Sequence, residues 1–156
     1  MTRLPSSLHS PSVRLALALG MLAMPLAAAA ALGGDVSTVT SDRQQMQGTL
    51  RVANTARYAI HELQGPTATT VREFVSPSGK VFGVAWRGPQ MPDLRLLLGE
   101  SYDAYLSAMV NRRVKGPVLI ELPGLVVRSS GHMRNFSGQA YVPALVPQGV
   151  AAEEIK

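Results

Sequence analysis

The chain has 156 residues, no cysteine, and 15 Lys and Arg against 10 Asp and Glu. Without cysteine, disulfides, thiol catalysis, Cys-based metal sites and lipid attachment through an N-terminal cysteine are excluded. The positive balance is mild, with no block of five like charges, and it is not the overall composition of a polyanion or nucleic-acid binder.

Arg3, His9 and Arg14 form an acid-free positive leader. Residues 15–26 are an apolar run broken only by Gly20 and Pro25, and alanines 27–31 offer the small residues a signal peptidase requires. The 18 residues from Leu15 to Leu32 are at the short limit for a membrane span, and Pro25 favours cleavage. Residues 1–30 are thus expected to be a signal peptide cut after Ala30, with an uncleaved N-terminal membrane anchor as the rival. The expected product, residues 31–156, is a single domain of 126 residues with 13 basic and 10 acidic side chains.

Residues 31–35 predict a flexible, extended lead-in, and 41–47 a short helix ending at Gly48. Residues 49–53 and 57–63 fit strands joined by a turn at Asn54, Thr55 and Ala56, with a loop at 64–67. The strongest local pattern is a hairpin, strand 69–75 and strand 80–86 around Ser76-Pro77-Ser78-Gly79. Pro77 suits the second position of a type I turn, and Gly79 the left-handed residue of a G1 bulge. That loop pairs Ser76 with Lys80. Continued outward, the register sets Phe74 opposite Phe82, Arg72 opposite Val84 and Thr70 opposite Trp86. On the other face Val75 meets Val81, Glu73 meets Gly83 and Val71 meets Ala85. It spares Glu73 a costly burial beside Phe82 and Val84, leaving Arg72 and Arg87 as its ion-pair partners. Both hairpin faces are partly apolar, so one is expected under a helix and the other under a second layer or a partner.

Residues 93–112 predict one long helix, with Leu94, Leu97, Leu98, Tyr102, Tyr105, Met109 and Val110 inward and Gly99 as a weak point. Arg112, Arg113 and Lys115 suit its C-terminal end. Strands follow at 118–122, 125–128 and 133–142, with turns at Pro123-Gly124 and Ser129-Ser130-Gly131, then a polar tail at 151–156. The expected fold is α+β, a small antiparallel sheet of six or seven short strands packed on one long helix.

Several stretches resemble one family. They are Ala31-Leu-Gly-Gly-Asp35, the hairpin block Val71-Arg-Glu-Phe-Val-Ser-Pro-Ser-Gly-Lys-Val-Phe-Gly-Val-Ala-Trp-Arg-Gly-Pro89, Pro92-Asp-Leu-Arg-Leu-Leu-Leu-Gly99 and Gly131-His-Met-Arg-Asn-Phe-Ser-Gly-Gln-Ala-Tyr-Val-Pro143. The family is a group of exported bacterial proteins defined only as a domain of unknown function. The resemblance spans nearly all of residues 31–156. It implies a cell-envelope setting, the periplasm first, and carries no assigned active site.

Catalytic signals are sparse. His61 and Glu62 are adjacent on a strand and point to opposite faces, so they cannot form an acid–base couple. His132 follows a turn, and no third ligand accompanies either histidine, so no metal or other cofactor is expected. No Gly-x-Ser-x-Gly elbow, phosphate loop or dinucleotide fingerprint is present. Glu62, Glu73 and Asp93 have no reason in the sequence to converge. The remaining candidate is a ligand groove of Arg72, Phe74, Phe82 and Trp86 on one hairpin face, with Tyr102 and Tyr105 as its other wall. The competing reading of these residues is the helix–sheet core. Two functions stay open. One is a non-catalytic envelope module for binding or assembly, meeting another envelope protein or a second copy of itself. The other is a small exported hydrolase using His61 or His132.

Overall fold

The computed structural model describes residues 31–36, 48–110, 112 and 116–156. The expected signal peptide, the helix at 41–47, and Arg113 and Lys115 of the basic cluster lie outside these residues. No helix among the described residues is long and apolar enough to cross a membrane.

Seven strands form one antiparallel sheet: β1 (Thr49–Asn54), β2 (Ala59–Gln64), β3 (Thr70–Val75), β4 (Val81–Gly88), β5 (Val118–Leu122), β6 (Leu125–His132) and β7 (Asn135–Tyr141). Their spatial order is β1-β2-β3-β4-β7-β6-β5. The first four strands form a meander and the last three another, joined where β4 pairs with β7. The class is α+β, as expected, and the sheet has the upper of the two expected strand counts.

The helix is not continuous. α1 (Leu94–Leu98) is capped by Asp93, whose Oδ1 accepts from the Arg95 and Leu96 amides at 2.9 and 3.3 Å. Gly99, at φ 50°, then breaks the α-helical path into a 3-10 turn before α2 (Tyr102–Val110). Glycine is required there because a Cβ would strike Ala31. The lead-in expected to be flexible is instead fastened down. The Leu32 amide donates to the Leu97 carbonyl at 2.9 Å, Gly33 and Val81 bond at 2.8 Å, and Leu32 is buried.

Leu97, Leu98 and Tyr105 join Leu32, Val71, Val75, Val81, Val84, Trp86, Val127 and Ala140 in one core cluster on the first face of the sheet. Val110, expected inward, is 77% exposed. The second face carries a separate cluster of Phe74, Phe82, Ala85 and Ile155, with Tyr58 and Ile60 beside them. Phe74, Phe82 and Tyr58 meet ring to ring at 5.8–6.1 Å. The segment after β7 covers this cluster, and Ile155 from the expected polar tail is fully buried.

The hairpin turn is as expected, with the Ser76 amide donating to the Lys80 carbonyl at 2.8 Å and Gly79 at φ 79°. Val75 pairs with Val81. Beyond that the register departs, because Phe82 is an extra, unpaired residue and Phe74 pairs with Gly83. Glu73 therefore faces Val84, Arg72 faces Ala85 and Val71 faces Trp86. Glu73 is buried after all, at 0% exposure, and its expected partner Arg72 points to the other side of the sheet. The last turn also moves: Ser129, Ser130 and Gly131 lie inside β6, and Met133 and Arg134 form the reversal.

Candidate ligand-binding face

The shift at Phe82 sorts side chains into rows running across the sheet. On the second face one row comprises Glu62, Arg72, Ala85, Gln139 and Arg128, each opposite the next on the neighbouring strand. The adjacent row comprises Gln64, Thr70, Arg87, Ser137 and Ser130. Strand pleating places residues two apart on one face, so these two rows form a single polar surface. Beside it lies the apolar cluster closed by Ile155.

The second face is thus divided. Its apolar half is covered by the chain itself, and its polar half lines an open trough of about 1180 Å³. Charged residues on the trough are Arg72, Arg87, Arg128 and Lys156 against Glu62 alone. Arg72 Nε donates to Glu62 Oε2 at 2.7 Å, and its Nη1 donates to the Lys156 carbonyl at 2.9 Å. Arg128 Nη2 stands 3.9 Å from Glu121 Oε1, a loose and solvent-exposed contact. The Arg87 guanidinium is exposed and meets no acidic side chain among the described residues.

The expected groove is split by the sheet. Arg72, Phe74 and Phe82 belong to the second face, whereas Trp86, Tyr102 and Tyr105 belong to the first. Phe74, Phe82, Trp86 and Tyr105 are buried as core. Trp86 covers Gly138, where a Cβ would overlap the indole ring. Only Arg72 and Trp86 of the six line the trough.

His61 lies opposite Glu73 on the first face, in a row that continues to Val84, Ala140, Val127 and Ile120. The two do come together, although Glu62 and His61 diverge as expected. Burial holds the His61 pKa below its ordinary value, and Nδ1 makes no hydrogen bond to any described residue. Neither residue lines the trough or the smaller cleft at Pro66, Met91 and Leu96. His132 sits beside the β6–β7 reversal, opposite Asn135. Glu62, Glu73 and Asp93 do not converge: Glu62 lines the trough, Glu73 is inside the core, and Asp93 caps α1. Among the described residues no group of three or more His, Asp or Glu is arranged to hold a metal.

The trough residues Arg87, Arg128, Gln139, Ser130 and Ser137 were not singled out as a site by the sequence. Their signal was i, i+2 spacing of polar residues on strands otherwise apolar, which becomes a surface only once the strands are paired.

Residues 28–155 match a family model described as "Protein of unknown function (DUF2844)". The chain belongs to that family. No curated protein and no solved structure matches it. The likeness carried by the hairpin block and the Gly131–Pro143 stretch thus holds over the whole described domain. It assigns no chemistry to any residue of the trough.

Proposed function

We propose that this chain is a non-catalytic, exported cell-envelope module that binds a partner through the open polar half of its sheet. The observation that carries the reading is the divided second face. The chain buries its own apolar half under Ile155, yet leaves uncovered a broad polar surface rich in arginine, on which Arg87 meets no acidic side chain among the described residues. Core formation accounts for the first half and not for the second. Export is supported by the leader pattern of residues 1–30, with cleavage after Ala30.

The hydrolase reading has less support. A general base needs a substrate within hydrogen-bond reach, and His61 faces the buried Glu73 away from both cavities. His132 has no acidic side chain opposite it.

The test is to produce the full chain in a bacterial host, fractionate the cells and measure its retention on washed envelopes. The wild-type product is expected outside the cytoplasm, shortened by the leader, and retained in a manner that Arg87→Glu with Arg128→Glu abolishes. Cytoplasmic full-length protein, or retention indifferent to both substitutions, would overturn the reading.

A further inference from the structure

We infer that the trough takes an acidic polysaccharide, a chain of carboxylate-bearing sugars lying across the strands. This rests on the binding reading above and names the ligand class for the same surface.

The charge argument is local. Overall composition is only mildly basic, but strand pairing gathers four cations against one carboxylate on the trough. Adjacent strands are about 4.8 Å apart, so the backbones of Arg72 and Arg128, three strands apart in one row, are separated by roughly 14 Å. Arg87 lies diagonally between them, roughly 7–8 Å from Arg72. Arg72 is held by Glu62 and the Lys156 carbonyl, and Arg128 stands near Glu121 at the other end, so a chain with repeated carboxylates can meet the three in turn where one small anion would meet Arg87 first. Arginine forks suit carboxylates, which they bind by two parallel hydrogen bonds.

The surface between the arginines selects among polyanions. Ser130, Ser137, Thr70 and Gln139 offer hydroxyl and amide groups, which match a hydroxylated ligand. A single-stranded nucleic acid would seek aromatic rings for stacking its bases, and the one aromatic residue lining the trough, Trp86, has its indole buried in the first-face core. An acidic peptide docks by strand addition at a sheet edge or by apolar anchors in pockets. Here the floor strands β3, β4 and β7 are paired on both sides, and the one open edge bordering the trough, β5, carries an acidic and no basic side chain to meet an acidic peptide.

The experiment is affinity electrophoresis of the purified domain, residues 31–156, at about 0.15 M salt, where loose surface charge effects are screened. Gels contain polygalacturonate, dextran or poly-L-glutamate. Polygalacturonate is expected to retard the protein, dextran to leave it unaffected, and poly-L-glutamate to bind at least tenfold more weakly. Arg87→Ala with Arg128→Ala is expected to weaken polygalacturonate binding at least tenfold. Arg95→Ala with Arg134→Ala, an equal loss of charge away from the trough, is expected to leave it unchanged. Circular dichroism confirms that both variants are folded. Equal binding to poly-L-glutamate, or equal weakening by both double variants, would overturn the polysaccharide assignment. No retardation by polygalacturonate would do so too. If envelope retention still depends on Arg87 and Arg128 in that case, only the ligand class fails; if it does not, the binding reading fails with it.

Discussion

Arg72 and Glu62 face each other across β3 and β2, joined by an Nε–Oε2 hydrogen bond of 2.7 Å, and the same guanidinium holds the Lys156 carbonyl. One side chain thus fastens the rim of the trough to the segment that closes the apolar half. The pair is substantially exposed, so its worth is that of a surface ion pair, below about 1 kcal/mol. Arg72→Leu is expected to lower stability in urea by no more than that. It should, however, increase amide exchange in residues 150–156, which Arg72→Lys restores only in part because lysine lacks the fork.

Ile155 is the fully buried aliphatic anchor of the covering segment, where Leu145, Val146 and Val150 are only partly buried. Ile155→Ala is expected to cost about 2–5 kcal/mol, read from urea unfolding. Gly83 lies beneath it, where a Cβ would stand 3.1 Å from Cδ1 and Cγ2. Gly83→Ala alone should destabilise by crowding, and the double variant Gly83→Ala with Ile155→Ala should be less damaged than the two losses added together.

Trp86 is the only tryptophan, which makes it a reporter of its own packing against Gly138. Gly138→Ala places a methyl group in the space of the indole and is expected to cost at least about 1–3 kcal/mol. The emission of Trp86 should shift to longer wavelength as the ring is displaced toward water.

His61 has its pKa lowered by burial, so the unfolded chain binds a proton more readily than the folded one. Stability is then complete above the unfolded value near 6.5 and declines as pH falls below it toward the lowered folded value. His61→Leu should flatten the melting temperature across that window. Glu154 acts at lower pH. Its carboxyl pKa is lowered chiefly by the Ala151 amide, so its contribution is present above the ordinary carboxylate range and lost as pH falls through it. Glu154→Gln should alter only that more acidic part of the profile.

The β6–β7 reversal places Met133 at φ 46° and Arg134 at φ 67°, with Met133 84% exposed. Two-residue hairpin turns with both φ values positive favour Asn-Gly. Met133→Asn with Arg134→Gly is expected to raise stability by roughly 0.5–1.5 kcal/mol, measured by thermal unfolding.

That same turn shows what the sequence hides. Ser129-Ser130-Gly131 has turn chemistry, whereas Met133-Arg134 has none, so local propensity pointed three residues too early. Elsewhere the alternation of apolar and polar residues located every strand, and Pro77 with Gly79 located the hairpin turn. Phe82 was illegible as a bulge because Val81, Phe82 and Val84 are all apolar, and local composition does not say which is the extra one. A regular ladder beyond Ser76 and Lys80 would set Glu73 opposite Gly83, whereas the bulge pairs Phe74 with Gly83 and Glu73 with Val84. Ile155 lies in a tail that reads as polar, and only its packing on the rings of Phe74 and Phe82, which the sheet by itself leaves open, explains why it is drawn inward. The trough is illegible for a related reason: Arg72, Arg87 and Arg128 are spread along the chain, and the β4–β7 junction brings them onto one surface.

Phe82 acts as a parity switch for everything that follows it in β4. Each later residue of that strand exchanges sides relative to an unbulged ladder. Pairing Phe82 with Phe74 in a regular ladder, with no residue removed, would turn Arg87 toward the buried leucines of the helical layer and Trp86 to the opposite face, while β3 stayed as it was. The two sides of the sheet are therefore specified jointly. No sequence drift at this position can adjust the charged side without equally remaking the hydrophobic one.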